Sequence, residues 1–348
     1  MGLSRRTLLQ GGTAIAASAA IHTGRPARAA ASNDSDALYA AAKREGTFSL
    51  YTGAYEQATT ELLRDAFKAK YPGIEVEVLR QASQTVYTRL RLEMQNGDPH
   101  CDVLSTTNLV HYLDLKKVNA LASYVPADND KVVQAFRSLD PDNTFQIAAL
   151  SLTSINYATR ATNAPPQSWT ALLDDKWHGK ITTGSPAFSG DVASWVVAIR
   201  HKYGDDFLRR FGQQSPKVGT SNVDTVTDLL AGERAVGSGA PFSYTLVQKA
   251  AGNPIDVVTP TDDTILNAGP AAVLAKAPHP NAARLYMNFI NSIEYSQILS
   301  KNFWPTLRTD VPWAEGRSFA TVKWYRNPIE NLSAEVAEGI AKWKELVR

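Results

Sequence analysis

FQIAALSLTSINYATR (residues 145–160) carries no charge until its last residue, Arg160. Most strands in globular proteins span about 3–10 residues, so this run is too long for an ordinary strand. Its apolar residues do not recur at helical spacing either. The run lies between two segments that each alternate strand and helix signals. We therefore predict an uncharged strand that joins two α/β units.

The segment before this strand alternates short β-rich runs with helical patterns. The β-rich runs are TFSLYTG (47–53), PGIEVEVLR (72–80) and CDVLSTT (101–107). Apolar residues at helical spacing lie between them, in 56–71 and 85–97. Strands that alternate with helices need crossover connections, which predicts a parallel sheet flanked by helices.

The segment after the strand repeats this alternation. A predicted strand at 181–183 leads through a Gly/Ser/Pro loop into a helix from about Asp191, and PIDVVTP (254–260) is a further strand. Another strand and helix pattern follows residue 260. We therefore expect the segment around 259–270 to lead back to the first unit.

The N-terminus has the features of a cleaved export signal. Arg5 and Arg6 precede a short apolar run, and small residues flank Arg28, as at a signal-peptidase site. SRRTLL (4–9) is typical of a twin-arginine signal, with an ordinary Sec signal as the alternative. We predict that residues 1–30 are this signal, that cleavage falls near residues 29–31, and that the mature protein is periplasmic.

Charge and composition exclude some partners. The chain has 36 basic and 34 acidic residues, and residues 1–30 hold four arginines and no acid, so the remainder carries a net charge of −2. That balance predicts no nucleic-acid surface, and no later stretch is apolar enough to anchor in a membrane. The single cysteine, Cys101, is predicted to be a buried free thiol.

Several stretches, taken in order and spacing, resemble the periplasmic solute-binding proteins of ABC importers, in particular the group that binds ferric iron, thiamine and phosphonates. The similarity covers nearly all of the chain after the signal. The stretches that carry it are LYTGAYEQATTELLRDAF (50–67), RQASQTVYTRL (80–90), CDVLSTTN (101–108), IAALSLTSINYAT (147–159), SWTALLDDKWHGKI (168–181) and NAGPAAVLAKAPHPNAARLYMNFINSIEYSQ (267–297).

The resemblance implies a two-lobed α/β protein of the type II binding-protein fold. Each lobe would hold a mostly parallel sheet with flanking helices. Lobe 1 would comprise 33–148 plus 266–308, and lobe 2 would comprise 153–262 plus 309–348. Two crossing strands, about 145–157 and 259–270, would form the hinge. The resemblance further implies a monomer without a cofactor that closes over a small solute and docks on an ABC permease in the inner membrane.

The loops after the predicted strands are rich in glycine, hydroxyl and amide groups. Ligands of open α/β sheets bind at the carboxyl ends of the strands, so we predict that these loops line one site. Each such residue is, taken singly, also a common helix cap or turn residue. The candidate ligand-binding residues are Thr52, Gly53, Tyr55, Ser83, Gln84, Thr106, Thr107, Asn108, Ser185, Ser189, Gly190, Ser243 and Tyr244. No catalytic residue and no metal ligand is predicted.

Two predicted helix starts suit an anionic solute. Ser189 and Gly190 precede one helix, and Ser83 and Gln84 precede another. Helix N-termini present free N–H groups and a partial positive charge, which favours a phosphonate, phosphate or carboxylate. Asp191 argues against an anion if its carboxylate faces the site. We expect a small polar solute, an organic anion or phosphonate.

Two other solutes stay open. A thiamine-like ligand would stack on aromatic rings, and Tyr55, Phe188, Phe242 and Tyr244 are candidate walls. The iron binders in the resembling group use two adjacent tyrosines, and the matching positions here are Phe242 and Ser243. Ferric iron prefers several anionic oxygens, so Tyr55 with Tyr244 is the alternative iron site.

An enzyme is the hypothesis from another class. The chain has no His-Glu-x-x-His motif, no Gly-x-Ser-x-Gly elbow, no P-loop and no Cys-x-x-Cys pair. Its histidines show no ligand spacing. We therefore expect a binding protein, with a secreted hydrolase or a sensory ligand-binding protein for a membrane receptor as alternatives.

Overall fold

A computed structural model describes residues 35–137 and 139–347. The predicted export signal, 1–30, lies outside the described residues. The strands are β1 (Thr47–Thr52), β2 (Glu75–Arg80), β3 (Val103–Ser105), β4 (Gln146–Ala158), β5 (Ile181–Thr183), β6 (Lys217–Val218), β7 (Val236–Pro241), β8 (Ile255–Val258), β9 (Thr264–Val273) and β10 (Trp324–Tyr325).

Helices connect and cover these strands. They are α1 (Ser35–Glu45), α2 (Gln57–Lys70), α3 (Ser83–Gln95), α4 (Leu109–Lys117), α5 (Gln134–Arg137), α6 (Gly190–Gln213), α7 (Asp224–Leu230), α8 (Phe242–Ala250), α9 (Pro280–Ile290), α10 (Ile293–Lys301) and α11 (Leu332–Leu346). Single turns of 3-10 helix lie at Asn129–Lys131, Thr170–Leu173, Asp175–Trp177 and Ala314–Gly316.

The described strands form one mixed sheet in the order β2-β1-β3-β9-β4-β7-β5-β6, with β10 beside β9 and β8 beside β4. β1 runs parallel to β2 and β3, and β5 runs parallel to β6 and β7. Between these parallel groups, β4 and β9 run antiparallel to each other. The predicted α/β fold with two parallel groups is confirmed, and the uncharged run at 145–160 is the strand that joins them.

β4 stays in one strand because nearly every residue of it is buried. It spans 13 residues, and only Tyr157 is less than fully buried. A strand covered on both faces takes a continuous apolar or uncharged run rather than an alternating one. β9 shows the same pattern, with all 10 of its residues buried. The two strands that cross the middle of the sheet are therefore enclosed along nearly their whole length.

Two large apolar clusters cover the two parallel groups. One packs Phe48, Phe67 and Phe289 together. The other is built around Trp195, which contacts the rings of Trp169, Phe207, Phe211 and Trp343. Such aromatic pairs add to the free energy gained from burial alone. The first cluster draws on segments assigned to lobe 1 and the second on segments assigned to lobe 2, whereas the lobe boundaries themselves stay a prediction.

Two smaller sequence predictions concern apolar character. Cys101 is a free, fully buried thiol, as predicted. Within the described residues, no helix is long and apolar enough to cross a membrane.

The sheet determines where a site can form. α2, α3, α6, α7 and α8 begin in the loops that follow β1, β2, β5, β6 and β7, respectively. Both parallel groups therefore direct loops and helix N-termini to the carboxyl ends of their strands, where ligands of α/β proteins bind.

Candidate functional site

A cavity of about 520 Å³ lies among these loops. Its size falls in the usual range for small-molecule sites, about 300–1,000 Å³. The predicted site residues that line it are Gly53, Tyr55, Ser83, Thr107, Ser189, Ser243 and Tyr244. The predicted residues outside its lining are Thr52, Gln84, Thr106, Asn108, Ser185 and Gly190.

Three of the residues outside the lining surround His111. This imidazole is within hydrogen-bond distance of Thr106 Oγ1 at 3.1 Å, Asn108 Nδ2 at 3.2 Å and Gln84 Oε1 at 3.1 Å. Burial lowers the pKa of His111 to about 3, so the ring is neutral at physiological pH. His111 also stacks on Tyr87, with ring centroids 4.0 Å apart. These side chains support the loop after β3 and do not face a solute.

The other residues outside the lining shape turns and close packing. Thr52 Oγ1 accepts a hydrogen bond from the Ala54 N–H at 3.3 Å, and Ser185 Oγ accepts one from the Ala187 N–H at 3.3 Å. Gly190 has a packing role. A Cβ atom there would lie 2.7 Å from the Asn108 nitrogen. These three residues fix the loops that hold the cavity walls.

Ser83 joins three loops at the start of α3. Its hydroxyl donates to the Gly53 carbonyl at 3.2 Å and accepts from the Thr107 N–H at 3.2 Å. Gly53 is needed here because a Cβ atom would lie 2.7 Å from the Ser83 Cα. The Ser83 side chain therefore organises the wall of the cavity from which the α3 N-terminus projects.

Arg80 is a cavity residue that the sequence analysis did not single out. It ends β2, and its Nε donates to the Tyr55 carbonyl at 3.0 Å. Burial lowers its pKa, opposed by the nearby Glu56 carboxylate and the Tyr244 hydroxyl, yet no ion pair forms between Arg80 and an acid of the described residues. The one indication in the sequence was its position, because Arg80 is the first residue of the stretch RQASQ (80–84).

Tyr55 does not offer a phenolate to the cavity. Its hydroxyl donates to the Ala148 carbonyl at 3.0 Å and lies 3.0 Å from the Tyr295 hydroxyl. The ring packs edge-on against Trp304, with centroids 4.8 Å apart. Burial raises the pKa of Tyr55 far above its usual value. The Tyr55 hydroxyl is thus already bound within the core, which argues against the alternative iron site built on Tyr55 and Tyr244.

The start of α8 contributes Ser243 and Tyr244 to the cavity lining. The Ser243 hydroxyl donates to the Phe303 carbonyl at 3.0 Å, so it is already used within the protein. Tyr244 is half-buried and lines the cavity, and burial raises its pKa. Tyr244 therefore presents a neutral phenol, which can donate a hydrogen bond or stack on a solute.

The start of α6 differs from the expected anion site. Ser189 caps the helix, since its Oγ accepts from the Val192 N–H at 3.4 Å. The Asp191 carboxylate lines the cavity, so the favourable end of this helix already carries an acid. The two helix N-termini that were predicted to clasp an anion therefore differ: α3 has no acid in its first turn, whereas α6 has Asp191.

Asp191 is held by three neutral donors. Its Oδ1 accepts from Ser151 Oγ at 2.5 Å and from Asn267 Nδ2 at 2.8 Å, and its Oδ2 accepts from Asn222 Nδ2 at 3.2 Å. Burial raises the pKa of Asp191, and these hydrogen bonds oppose the rise. Sequence reasoning noted Asp191 but gave no sign of its partners, which come from three separate segments.

Glu56 is the second buried acid in the cavity lining. It stands at the N-cap position of α2 and accepts a hydrogen bond from the Thr59 hydroxyl. Burial raises its pKa, opposed by that bond and by the nearby Arg80. The cavity thus combines one guanidinium with buried acids. No cluster of three or more His, Cys, Asp or Glu side chains suited to a metal occurs in the described part of the chain.

A search against known proteins finds similarity over most of the chain. The model of bacterial extracellular solute-binding proteins matches residues 63–316, more than half of the 348 residues. An uncharacterised protein of Haemophilus influenzae is 20% identical over 276 residues, which cover 76% of this chain and 78% of that protein.

Solved structures show the same arrangement of elements. The periplasmic binding protein AfuA from Actinobacillus pleuropneumoniae, with exogenous fructose-6-phosphate bound, has a TM-score of 0.78 and 20% identity, covering 87% of this chain and 98% of AfuA. Iron-bound HitA from Pseudomonas aeruginosa has a TM-score of 0.73 and 20% identity, covering 86% and 99%. A periplasmic thiamin-binding protein has a TM-score of 0.71 and 18% identity, covering 87% and 96%. At these identities the likeness shows the fold alone.

Proposed function

Because the chain belongs to the family of bacterial extracellular solute-binding proteins and is the solute-binding component of an ABC transporter, we propose that its solute is a small organic anion bound in the cavity of about 520 Å³. Its fold is that of type II periplasmic binding proteins, in agreement with the sequence prediction. The proposal concerns the class of solute, on which proteins of this fold differ.

The observation that carries the proposal is the surroundings of Arg80. This guanidinium lines the cavity with only its Nε bound to a protein carbonyl. Arginine binds phosphate and carboxylate groups through two parallel hydrogen bonds. The α3 N-terminus begins three residues later, has no acid in its first turn, and adds a partial positive charge. A phosphate, phosphonate or carboxylate group at this wall satisfies both.

The residues of this cavity support an organic solute more than a metal, although proteins of this fold bind either kind. AfuA holds a sugar phosphate, which combines an anionic group with a polar body. HitA holds iron, whereas the Tyr55 hydroxyl here is bound in the core. A compact organic phosphate or phosphonate matches the polar lining and the cavity volume.

An organic cation resembling thiamine is the second candidate. The buried carboxylates of Glu56 and Asp191 favour it, and the Tyr244 and Trp304 rings line the same cavity. Arg80 opposes it, because an arginine repels a ligand that carries only positive charge. We rank it below an anion for that reason.

The proposal includes where and how the protein acts. Residues 1–30 would direct export through the twin-arginine route, and the mature protein would act in the periplasm as a monomer. Two lobes, 33–148 plus 266–308 and 153–262 plus 309–348, would close about β4 and β9. The closed form would dock on a membrane permease, which would receive the solute unchanged.

The test is a thermal-shift and calorimetric screen of the purified protein with organic phosphates, phosphonates, carboxylates, thiamine and ferric citrate. At 100 times its dissociation constant, a true ligand stabilises the native state by about 2.7 kcal/mol. We expect organic anions to raise the melting temperature and to release or absorb heat on binding. Recovery of the solute unchanged after incubation separates binding from hydrolysis.

Arg80→Met should weaken binding of the best anion by about 30-fold or more, since truncating one partner of a buried charged contact costs about 2–5 kcal/mol. Arg89→Met is the matched control, because Arg89 lies on α3 outside the cavity lining, is 56% exposed and pairs with Glu93. Equal affinity in the Arg80 and Arg89 variants, or binding of thiamine alone, would overturn the proposed solute class.

A further inference from the structure

Most buried acids in the described part of the chain have a basic side chain nearby, and Asp140 and Asp228 form ion pairs with lysines. Five Asp and Glu residues there are buried. Four have a basic side chain beside them: Asp102 has His279, Asp140 has Lys116, Asp228 has Lys217 and Glu56 has Arg80. The fifth, Asp191, is only 6% exposed and has no Lys, Arg or His within ion-pair distance among the described residues.

The partners of Asp191 cannot supply this missing charge. Ser151, Asn222 and Asn267 donate hydrogen bonds to the carboxylate, but all three are neutral. Removing a charge from water is costly unless an opposite charge compensates for it. Each of the other four acids has a basic side chain nearby, and two of them have a lysine ion pair, so Asp191 is the exception to explain.

Asp191 also differs from those acids in position, because its carboxylate lines the solute cavity. Its Oδ2 accepts one hydrogen bond, from Asn222 Nδ2 at 3.2 Å, and a carboxylate oxygen has capacity for another. Asn222 and Ser151 line the cavity beside it. A group of the solute can therefore reach Asp191 while the protein holds the carboxylate in place.

We propose that the solute carries a cationic nitrogen that pairs with Asp191, in addition to the anionic group at Arg80. The solute would then be a zwitterion, such as an aminoalkyl phosphate, an aminoalkyl phosphonate or an amino-sugar phosphate. This inference rests on the proposed function, since it adds a second contact to the same bound anion. A hydroxyl group would donate one hydrogen bond to Asp191 but leave its charge uncompensated, whereas an ammonium group supplies both.

The two binding walls are on different parts of the fold. Arg80 ends β2 in the first parallel group, and Asp191 lies in the first turn of α6, after β5 of the second group. A solute with opposite charges at its two ends would contact both walls at once. Arg80 would then bind the anionic group of the solute, and Asp191 would bind its cationic nitrogen.

The experiment compares anions that differ in one group. Calorimetry on the purified protein would use 2-aminoethyl phosphate, 2-hydroxyethyl phosphate and ethyl phosphate, and the larger pair glucosamine 6-phosphate and glucose 6-phosphate. We expect the amino member of each set that binds to do so at least about tenfold more tightly than its hydroxyl counterpart, as expected of a charge-assisted hydrogen bond. This comparison needs only the wild-type protein.

Asp191→Asn then tests the residue. In this variant, the amino and hydroxyl members of each set should bind with about equal affinity. Ethyl phosphate should bind as it does to the wild-type protein, which also shows that the variant is folded. Glu56→Gln is the matched change at the other buried acid of the cavity and should keep the preference. Equal binding of amino and hydroxyl members, or a preference that survives in Asp191→Asn, would overturn this inference alone. Failure of all five phosphates to bind would overturn this inference, and the proposed solute class would fall as well only if the phosphonates and carboxylates of the thermal-shift screen also failed to bind.

Discussion

The N-termini of α3 and α6 have similar surroundings and opposite charge. Each follows a parallel strand and begins at the cavity. Each also packs closely on a neighbouring loop at a glycine, where an added Cβ atom would lie 2.7 Å from backbone atoms. The Gln84 N–H at the start of α3 even donates to the Phe188 carbonyl before α6, at 3.4 Å. Yet α3 has Arg80 before it and no acid in its first turn, whereas α6 has Asp191.

This difference teaches that a helix N-terminus is not by itself an anion site. The partial positive charge of a helix favours a nearby acid from the protein as much as one from a solute. At α6 the protein itself supplies that acid, so the partial positive charge of the helix N-terminus already acts on the Asp191 carboxylate. At α3 no acid lies in the first turn, so the partial positive charge of this helix N-terminus can act on a solute, and the positive charge of Arg80 adds to it. The charged residues at each helix start therefore determine which solute group that side of the cavity can bind, once the fold has brought the helix start to the cavity.

The largest expected effect comes from separating α6 from its neighbouring loop. In Gly190→Ala, the new Cβ would lie 2.7 Å from the backbone of Thr107 and Asn108. We expect a loss of about 1–3 kcal/mol in the free energy of unfolding, typical of overpacking. Urea denaturation measures it.

Gly339→Ala is the matched control for that change. Gly339 is also a helical glycine, and its new Cβ would meet side-chain methyl groups and no backbone: Val196 Cγ1 at 3.2 Å and Val197 Cγ2 at 3.8 Å. Alanine favours a helix over glycine by about 1 kcal/mol, so this variant should be neutral or more stable. If both variants lost the same stability, the close contact at Gly190 would not be the cause.

A second effect sharpens the contrast between a compensated and an uncompensated acid. Burial raises the pKa of Asp191, so its contribution to stability is present below its usual pKa and lost as the pH rises through the raised value. The difference in unfolding free energy between wild type and Asp191→Asn should therefore fall as the pH rises from about 4, by at most about 1.4 kcal/mol per pH unit. Urea titrations of the unliganded protein at several pH values measure it.

Asp140 provides the opposite sign as a control. Burial acts to raise its pKa, but hydrogen bonds from Lys116 and Thr144 outweigh burial and lower it. Its contribution is present above its usual pKa and lost as the pH falls through the lowered value. The same difference for Asp140→Asn should therefore grow with rising pH below about 4. Parallel pH dependence of the two variants would contradict the assignment of Asp191 as an uncompensated acid.

The smallest effect concerns the cap of α6. Ser189→Ala removes the acceptor for the Val192 N–H, a long bond of 3.4 Å, so we expect a loss near the lower end of about 0.5–2 kcal/mol. Ser292→Ala removes the corresponding cap of α10, where Ser292 Oγ accepts from the Tyr295 N–H at 3.2 Å. Thermal unfolding compares the two. No change at Ser189 together with a clear loss at Ser292 would mean that the α6 cap contributes nothing.

The site was predictable where it depends on loops and was not where it depends on distant partners. Gly53, Ser83, Thr107 and Tyr244 followed from glycine and hydroxyl residues after strands. By contrast, Asn267 donates both to Asp191 Oδ1 at 2.8 Å and to the Thr107 carbonyl at 2.6 Å. These partners are 76 and 160 residues away in the sequence, a separation that no local pattern records.

Tyr55 is a residue that the sequence suggested as a ligand and whose hydroxyl the structure places in contact with a distant residue instead. Its place after a strand made it a candidate ligand, and the sequence held no sign that Tyr295 would bind its hydroxyl. Arg80 was overlooked because a lone arginine at a strand end has many ordinary roles. Only its arrangement beside α3 and the cavity gives it meaning.

By itself, the sequence determined the alternation of strands and helices and the uncharged crossing strand, because these depend on periodicity and composition along the chain. It also indicated the family, through stretches whose order and spacing resemble those of known solute-binding proteins. The tertiary structure alone decided which polar groups face the cavity, which are used in the core, and which buried acid has no basic partner. Those outcomes depend on hydrogen bonds and charges between segments far apart in the sequence, and they set the electrostatic character of the site.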